Sequence, residues 1–224
     1  MPTELRVVVF AKAPEPGRAN TRLIPALGER GAAALQGCMI LHTLRTASRA
    51  GIGPVELWCA PDCTHRLFRR LARWARLEMH VQVGADLGAR MSHAVREVLA
   101  RAEAVILLGT DAPALTVHTL HVAAAILESR EFVLVPADDG GYVLLGARRH
   151  LPALFAGIRW GTSEVWEQTR RRLERSGVSW AALPALWDVD RPGDLARVTD
   201  PRLSRWIRRL KRTRRTGQTP RSRP

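Results

Sequence analysis

The chain has 224 residues, with 35 Lys or Arg against 21 Asp or Glu, a net charge of +14. That length suits one well-cored α/β domain, and no apolar run reaches the roughly 18 residues of a membrane-spanning helix. No signal-peptide pattern opens the chain, which predicts a cytoplasmic protein. The three cysteines, Cys38, Cys59 and Cys63, lack CxxC spacing, so a disulfide framework is not expected; zinc held by Cys59, Cys63 and His65 is a minor alternative.

Taken alone, +14 would point to nucleic acid. Ten of the Lys and Arg residues lie from Arg202 onward, where no acidic residue occurs, which leaves +4 for the body. The expected division is a single domain over residues 1–201 and a basic helix end with a disordered tail over 202–224. Such a tail reads as a solvated extension, with weak, salt-sensitive contact to nucleic acid or an anionic surface as the other reading.

The first strong signal is VVVFAKAPEPGRANTRL, residues 7–23. A short apolar run, part of a strand over 5–10, enters a loop carrying Pro14, Pro16, Gly17, Lys12, Arg18 and Arg22. Backbone N–H groups and fixed positive charge in one loop are what a bound diphosphate needs. Lys12 and Lys211 are the only lysines, so Lys12 is the only ammonium outside the basic tail. A compact ammonium does what a guanidinium fork does not, although a lysine on a solvated loop is the plain alternative. The loop lacks GxxxxGK[ST], which disfavours P-loop ATPase chemistry.

Strand and helix patterns then alternate. Residues 29–50 read as a helix closed by Gly51, 55–60 as a strand, 63–76 as a helix and 78–83 as a strand. A helix over 87–102 begins within QVGADLGARM, residues 82–91, where Gly84, Gly88 and Arg90 could meet a nucleobase or a phosphate. The continuous apolar run AVILLG, 104–109, suits a strand covered on both faces. A helix capped by Thr116, strands FVLVPA and YVLLGA, a helix over 162–176 capped by Thr162 or Ser163, and a short strand near 178–183 complete the pattern. This alternation predicts a three-layer α/β/α sandwich with a mainly parallel sheet, in which ligands bind beyond the carboxyl ends of the strands.

Three acidic motifs carry candidate chemistry. Asp111 of GTDAP sits where the most apolar strand meets solvent, and one carboxylate there suits Mg²⁺ or Mn²⁺, which take few protein oxygens plus phosphate and water; a helix-capping or turn role is the alternative. DVDRPGDL contributes Asp190 as the favoured second metal carboxylate, Asp188 next, and Asp194 as a surface residue; Asp190 could equally cap the helix that Pro192 opens. DDGGY, with Asp139, Gly140, Gly141 and the sole tyrosine Tyr142, is either a ligand-approaching turn or a plain tight one.

FAKAPEPGRANTRL, DLGARM, GTDAPAL, DDGGYVLLG, WGTSEV and DVDRPGDL occur in this order over residues 7–195. The ordered set resembles the rSAM/selenodomain-associated transferase 1 family, a glycosyltransferase-like branch of the GT-A-like nucleotide-diphospho-sugar transferase superfamily. The resemblance implies a GT-A fold, mixed and mainly parallel. It implies nucleotide phosphates on Ala11, Lys12, Gly17, Arg18 and Arg22, with a divalent metal on Asp111 and Asp190. Gly84, Gly88 and Arg90 would face the nucleotide, and Gly140, Gly141, Tyr142 and Trp160 the sugar or acceptor. The pattern departs from Asp-x-Asp at Thr110-Asp111-Ala112, which is closer to nucleotidyltransferases.

Three activities follow. The first is metal-dependent transfer from a nucleotide-diphosphate sugar to a small-molecule acceptor, with Lys12 and Arg18 neutralising the leaving diphosphate and Asp139 as base. The second is nucleotidyl transfer from an NTP to a small phosphate or alcohol with release of pyrophosphate. The third is a non-catalytic RNA-binding module driven by the tail.

Overall fold

The computed structural model of the chain describes residues 4–216. Seven strands form one sheet in the order β3-β2-β1-β4-β6-β5-β7. They are β1 Leu5–Lys12, β2 Val55–Ala60, β3 Glu78–Val81, β4 Ala104–Leu108, β5 Phe132–Pro136, β6 Tyr142–Ala147 and β7 Trp180–Ala182. β6 runs antiparallel to both its neighbours, β4 and β5, and the remaining pairs are parallel. The expected mixed, mainly parallel sheet is the one observed.

The central strands are apolar on both faces because helices cover both. β4 (AVILL) is buried at all of its residues, as a parallel strand between two helical layers must be. On one face α1 (Ile24–Ala50), α2 (Arg66–Ala75) and α4 (Val117–Leu127) pack Ile40, Leu44, Phe68 and Leu120 against Val7, Val9, Leu57 and Ile106. On the other, α3 (Leu87–Leu99) and α5 (Val165–Arg175) pack Met91, Val95, Val98 and Leu173 against Val8, Trp58, Val105 and Leu134. Alternate residues of one strand thus serve opposite layers.

Local chemistry explains most element ends. α1 carries a break at Gly28 (φ 71°) and closes on Gly51 in the left-handed region, which glycine adopts without a Cβ penalty. Thr116 caps α4 as expected, its hydroxyl accepting the Thr119 N–H at 3.1 Å. The expected cap of α5 is not observed. The helix begins at Val165 with no side-chain cap, because the Thr162 hydroxyl donates instead to the Arg159 carbonyl at 2.7 Å. His65 is drawn into capping α2, accepting the Leu67 N–H through Nδ1 at 3.2 Å, a use other than zinc ligation.

The last helix is α6, Pro201–Thr216. Its Leu203 and Ile207 are buried with Leu23, Leu35 and Met39 behind α1 and with Val189 and Leu195. The basic segment therefore begins as a packed helix, and residues 217–224 of the expected tail lie outside the described residues. Among the described residues no helix is long and apolar enough to cross a membrane.

Candidate active site

Parallel register brings the sequence motifs to one edge. Val9 of β1 pairs with Leu108 of β4, so Lys12 and Asp111, each three residues further on, leave the sheet at the same carboxyl end. Gly109 N donates to the Val143 carbonyl at 3.0 Å, which puts the start of β6, and with it the DDGGY turn, beside GTDAP. The segment 186–189 crosses the same edge: Leu186 pairs backbone groups with Pro136 and Asp138, and Val189 N donates to the Asp111 carbonyl at 2.8 Å. Four motifs separated by up to 178 residues thus share one rim.

In the first loop, Lys12 and Arg18 are exposed, and Arg18 pairs with Glu15 at 3.3 Å. Part of this loop's backbone is already committed. The N–H groups of Ala13, Glu15, Arg18 and Ala19 donate to Ala60, Ala13 and Glu15 carbonyls within 3.1 Å. These four donors are spent on the loop's turns and on β2, while among the described residues the Gly17, Asn20 and Thr21 N–H groups make no such bond. Gly17 takes φ +79° and Asn20 φ 47°, turning the chain into the short helical turn Thr21–Leu23 that carries Arg22.

The acidic motifs converge opposite. Arg22 Nη1 donates to Asp190 Oδ2 at 2.5 Å across 168 residues of sequence. Asp188 is buried, and its carboxyl is pushed up to about 7, first by loss of water and then by repulsion from Asp139, Asp111 and Asp190. Asp111 is open to solvent yet walled in by protein; this desolvation raises its pKa, with Asp139 and Asp190 adding to it. The sequence motif alone favours Asp190 over Asp188 as a metal carboxylate. The available signal was period-two alternation in Asp188-Val189-Asp190: Val189 is buried in the core behind α1, so both aspartates turn the other way.

Asp190 does not cap the turn Pro192–Ala196. Arg191 holds that position, and Asp194 accepts the N–H groups of Asp190 and Arg191 at 3.1 and 2.7 Å. The Asp190 carboxylate is thus held by Arg22 and not by the turn, and Asp194 is structural. Thr110 is not a ligand either: its buried hydroxyl accepts from Gln36 Nε2 of α1 at 3.1 Å. Asp139 Oδ1 accepts the Gly141 N–H at 2.8 Å, which shapes the turn. Gly140 needs its glycine twice over, for φ +89° and because a Cβ would stand 2.2 Å from the Ser163 carbonyl oxygen.

The Gly84–Arg90 segment is tied down by its own groups. Arg90 Nε donates to the Gly84 carbonyl at 3.1 Å, and Asp86 caps α3 through the Ala89 N–H at 2.7 Å. Gly88 is buried, and an added Cβ would lie 2.3 Å from Trp160 Nε1 and 2.4 Å from the Phe155 carbonyl oxygen. Its missing side chain makes room for Trp160. Trp160 in turn meets the Tyr142 ring edge-on at 6.2 Å, and burial raises the Tyr142 phenol. Gln82, which sequence reading passed over, links the ends of β1 and β2 by donating to the Trp58 carbonyl at 2.8 Å and the Ala11 carbonyl at 3.4 Å.

The four aspartates make a donor set of the kind a divalent ion takes: hard oxygens, mutually repelling, with Arg22 as their close cationic partner. Among the described residues, the three-ligand group with atoms within 4.8 Å of one another lies elsewhere, at Glu56, Glu78 and His80. That spacing is compatible with a metal. Glu56, however, is already held by Arg101 Nη2 at 2.7 Å, Arg6 Nη1 at 3.0 Å and Trp58 Nε1 at 3.0 Å. An entering cation would have to displace two guanidinium groups.

A sequence profile of DUF2064, described as an uncharacterized protein conserved in bacteria, matches residues 43–162, more than half of the chain. The chain is a DUF2064 protein. No curated protein matches it. Among solved structures the DUF2064 chain is similar to a candidate nucleotide-diphospho-sugar transferase from Desulfovibrio desulfuricans G20. The two are 28% identical, the match covers 94% of this chain and 98% of that one, and the TM-score is 0.81. A nucleotidyl transferase from Methanothermobacter thermautotrophicus shares the fold at 16% identity, covering 92% and 99% of the two chains with a TM-score of 0.61. A Mycobacterium tuberculosis H37Rv protein in complex with manganese does so at 22% identity, 87% and 97% coverage and a TM-score of 0.52. The DUF2064 chain is thus an enzyme of the transferase class with the GT-A-like fold of nucleotide-diphospho-sugar transferases.

Proposed function

We propose that the chain is a divalent-metal-dependent transferase that takes a nucleotide-diphosphate sugar as donor and passes the sugar to a small-molecule acceptor. The observation that carries this reading is the Arg22–Asp190 pair at 2.5 Å, because it joins the cationic loop and the aspartate cluster in one place. The likeness to the Desulfovibrio protein and the manganese complex of the mycobacterial one support it.

In this reading Lys12, Arg18 and Arg22 bind the diphosphate and offset the charge that grows on it as the sugar leaves. Asp111 and Asp190 would hold Mg²⁺ or Mn²⁺, which when bound supplies further neutralisation of the leaving group. Asp188, buried and in the field of Asp139, Asp111 and Asp190, belongs to the same acidic cluster. Asp139, with Oδ1 committed to Gly141, has Oδ2 for the proton of the acceptor hydroxyl. Tyr142 and Trp160 form the apolar wall on the sugar or acceptor side. Gly84 and Arg90 shape the nucleotide side.

One observation favours a second reading, nucleotidyl transfer. GTDAP offers a single carboxylate, Asp111, flanked by Thr110, which is bonded to Gln36, and by Ala112. An acceptor oxygen would then attack the α-phosphorus of an NTP, forming one P–O bond and breaking another as pyrophosphate leaves. The same cations would hold that pyrophosphate.

A thermal-shift screen of NTPs and nucleotide-diphosphate sugars, with and without Mn²⁺, separates the readings. A ligand at a hundred times its Kd adds about 2.7 kcal/mol, or about 5–11 °C for a domain of this size. Mn²⁺-dependent stabilisation by nucleotide sugars, abolished in Asp111→Asn, supports glycosyl transfer. Stabilisation by NTPs alone supports nucleotidyl transfer. Equal shifts in Asp111→Asn and the unaltered protein would refute the site.

A further inference from the structure

Arg22 is placed to do two jobs, and the geometry allows one at a time. Its backbone is fixed, since the neighbouring Leu23 is fully buried with Val189 and Leu195, the residues that flank Asp190. Its side chain is 58% exposed and reaches Asp190 through a single nitrogen, Nη1. A guanidinium has five N–H donors, so most of this one still faces the open rim. Asp190 is equally well set: its own N–H is held by Asp194 at 3.1 Å, which fixes the main chain while the carboxylate stays 31% exposed. Arg191 Nε, at 4.0 Å, is a weaker second neighbour.

The charges around this pair are unbalanced. Arg22 sits in the field of Asp190, Asp139 and Asp188 together. Asp190 therefore spends one oxygen on an arginine while sharing, with Asp139, the field of Asp111. An arginine and a divalent ion on the same oxygen repel each other, so occupancy by one weakens the other.

We infer that Arg22 is a resident counter-ion of the metal site: in the free protein it neutralises Asp190, and an arriving diphosphate draws it away and frees that carboxylate for the ion. This rests on the reading of Asp111 and Asp190 as metal ligands given above. Arg22 thereby makes metal binding and diphosphate binding mutually reinforcing, since each relieves a charge the other leaves behind. The free protein avoids a bare acidic cluster, and the metal is held firmly only when there is a diphosphate for it to serve.

The test is Mn²⁺ binding, read by calorimetry or by the paramagnetic signal of free Mn²⁺, on the full chain without nucleotide. Arg22→Gln removes the competing cation and is expected to bind Mn²⁺ about five- to tenfold more tightly than the unaltered protein. Arg22→Lys, which keeps the charge, should stay within about threefold of it. With inorganic pyrophosphate as probe, Arg22→Gln should bind pyrophosphate about tenfold more weakly, and pyrophosphate should tighten Mn²⁺ by a smaller factor than in the unaltered protein. Asp190→Asn is the control for the site and should weaken Mn²⁺ in either background. Mn²⁺ binding by Arg22→Gln that is no tighter than normal, with Asp190→Asn still impaired, overturns the counter-ion role and leaves the metal site standing. Mn²⁺ binding indifferent to Asp190→Asn and Asp111→Asn, or absent from every variant, overturns the site and the counter-ion role together. Circular dichroism confirms that each variant is folded, as expected for substitutions at exposed side chains.

Discussion

Replacing Glu56 with Gln tests which of the two acidic groups is structural. Glu56 is 1% exposed and lies among Arg6, Arg101, the Trp58 indole and His80. Burial opposes its charge, but hydrogen bonds from Arg101, Trp58 and Arg6 outweigh that and hold the carboxyl below the usual range. Gln keeps the shape and one acceptor but leaves two guanidinium groups without their shared counter-charge. Breaking a fully buried pair costs about 3–5 kcal/mol. Arg6 and Arg101 keep side-chain exposures of 17% and 34%, so water recovers part of the loss, and about 2–4 kcal/mol is expected. For a domain of this size that lowers Tm by about 5–15 °C. The sign with pH follows from the depressed value: the contribution is complete above the ordinary glutamate range near about 4.3 and is lost as pH falls through the lower folded value. The Tm gap between the unaltered protein and Glu56→Gln should therefore be full at pH 7 and shrink as the solution is acidified below about 4.5. The assay is thermal unfolding by circular dichroism across pH, with and without Mn²⁺ or Zn²⁺. A Tm loss below about 2 °C would refute the ion-pair argument, and metal stabilisation that disappears in Glu56→Gln would make Glu56, Glu78 and His80 a metal centre after all.

Lys12→Ala should weaken binding of a nucleoside diphosphate or triphosphate about tenfold and Arg18→Ala less than threefold, measured by calorimetry, because Arg18 is 77% exposed and already shared with Glu15; equal, small effects would make Lys12 an ordinary surface lysine. Gly88→Ala should cost about 1–3 kcal/mol in denaturant unfolding, since the Phe155 carbonyl 2.4 Å from the new carbon is backbone and yields little; a neutral result would show that the Trp160 segment moves freely. Asp111→Asn should keep its Tm in the absence of ligand, a check that distinguishes a binding residue from a structural one.

Some of the site could be seen in one dimension because local rules act over a few residues. Gly17, Gly140 and the charged loops announce themselves through turn chemistry, and β4 through an unbroken apolar run. Other features have no local signature. Glu56 looks like any strand glutamate until β1, β2 and the turn after α3 bring Arg6, Arg101 and Trp58 to it. The capping roles expected of Asp190 and Thr162 went instead to Arg191 and to no side chain at all, because short polar groups choose among nearby backbone partners by small differences in geometry.

Periodicity and punctuation by themselves determined the layered α/β architecture and the loops that carry charge, since those depend on which residues prefer water and which turns the backbone permits. Only the folded chain decided that four amides of the first loop are spent on its turns and on β2, that Gly88 yields its space to Trp160, and that Arg22 meets Asp190 at a sequence separation of 168. Contacts of that range are set by strand order and register, which arise from packing the whole sheet at once and which no single stretch of residues encodes.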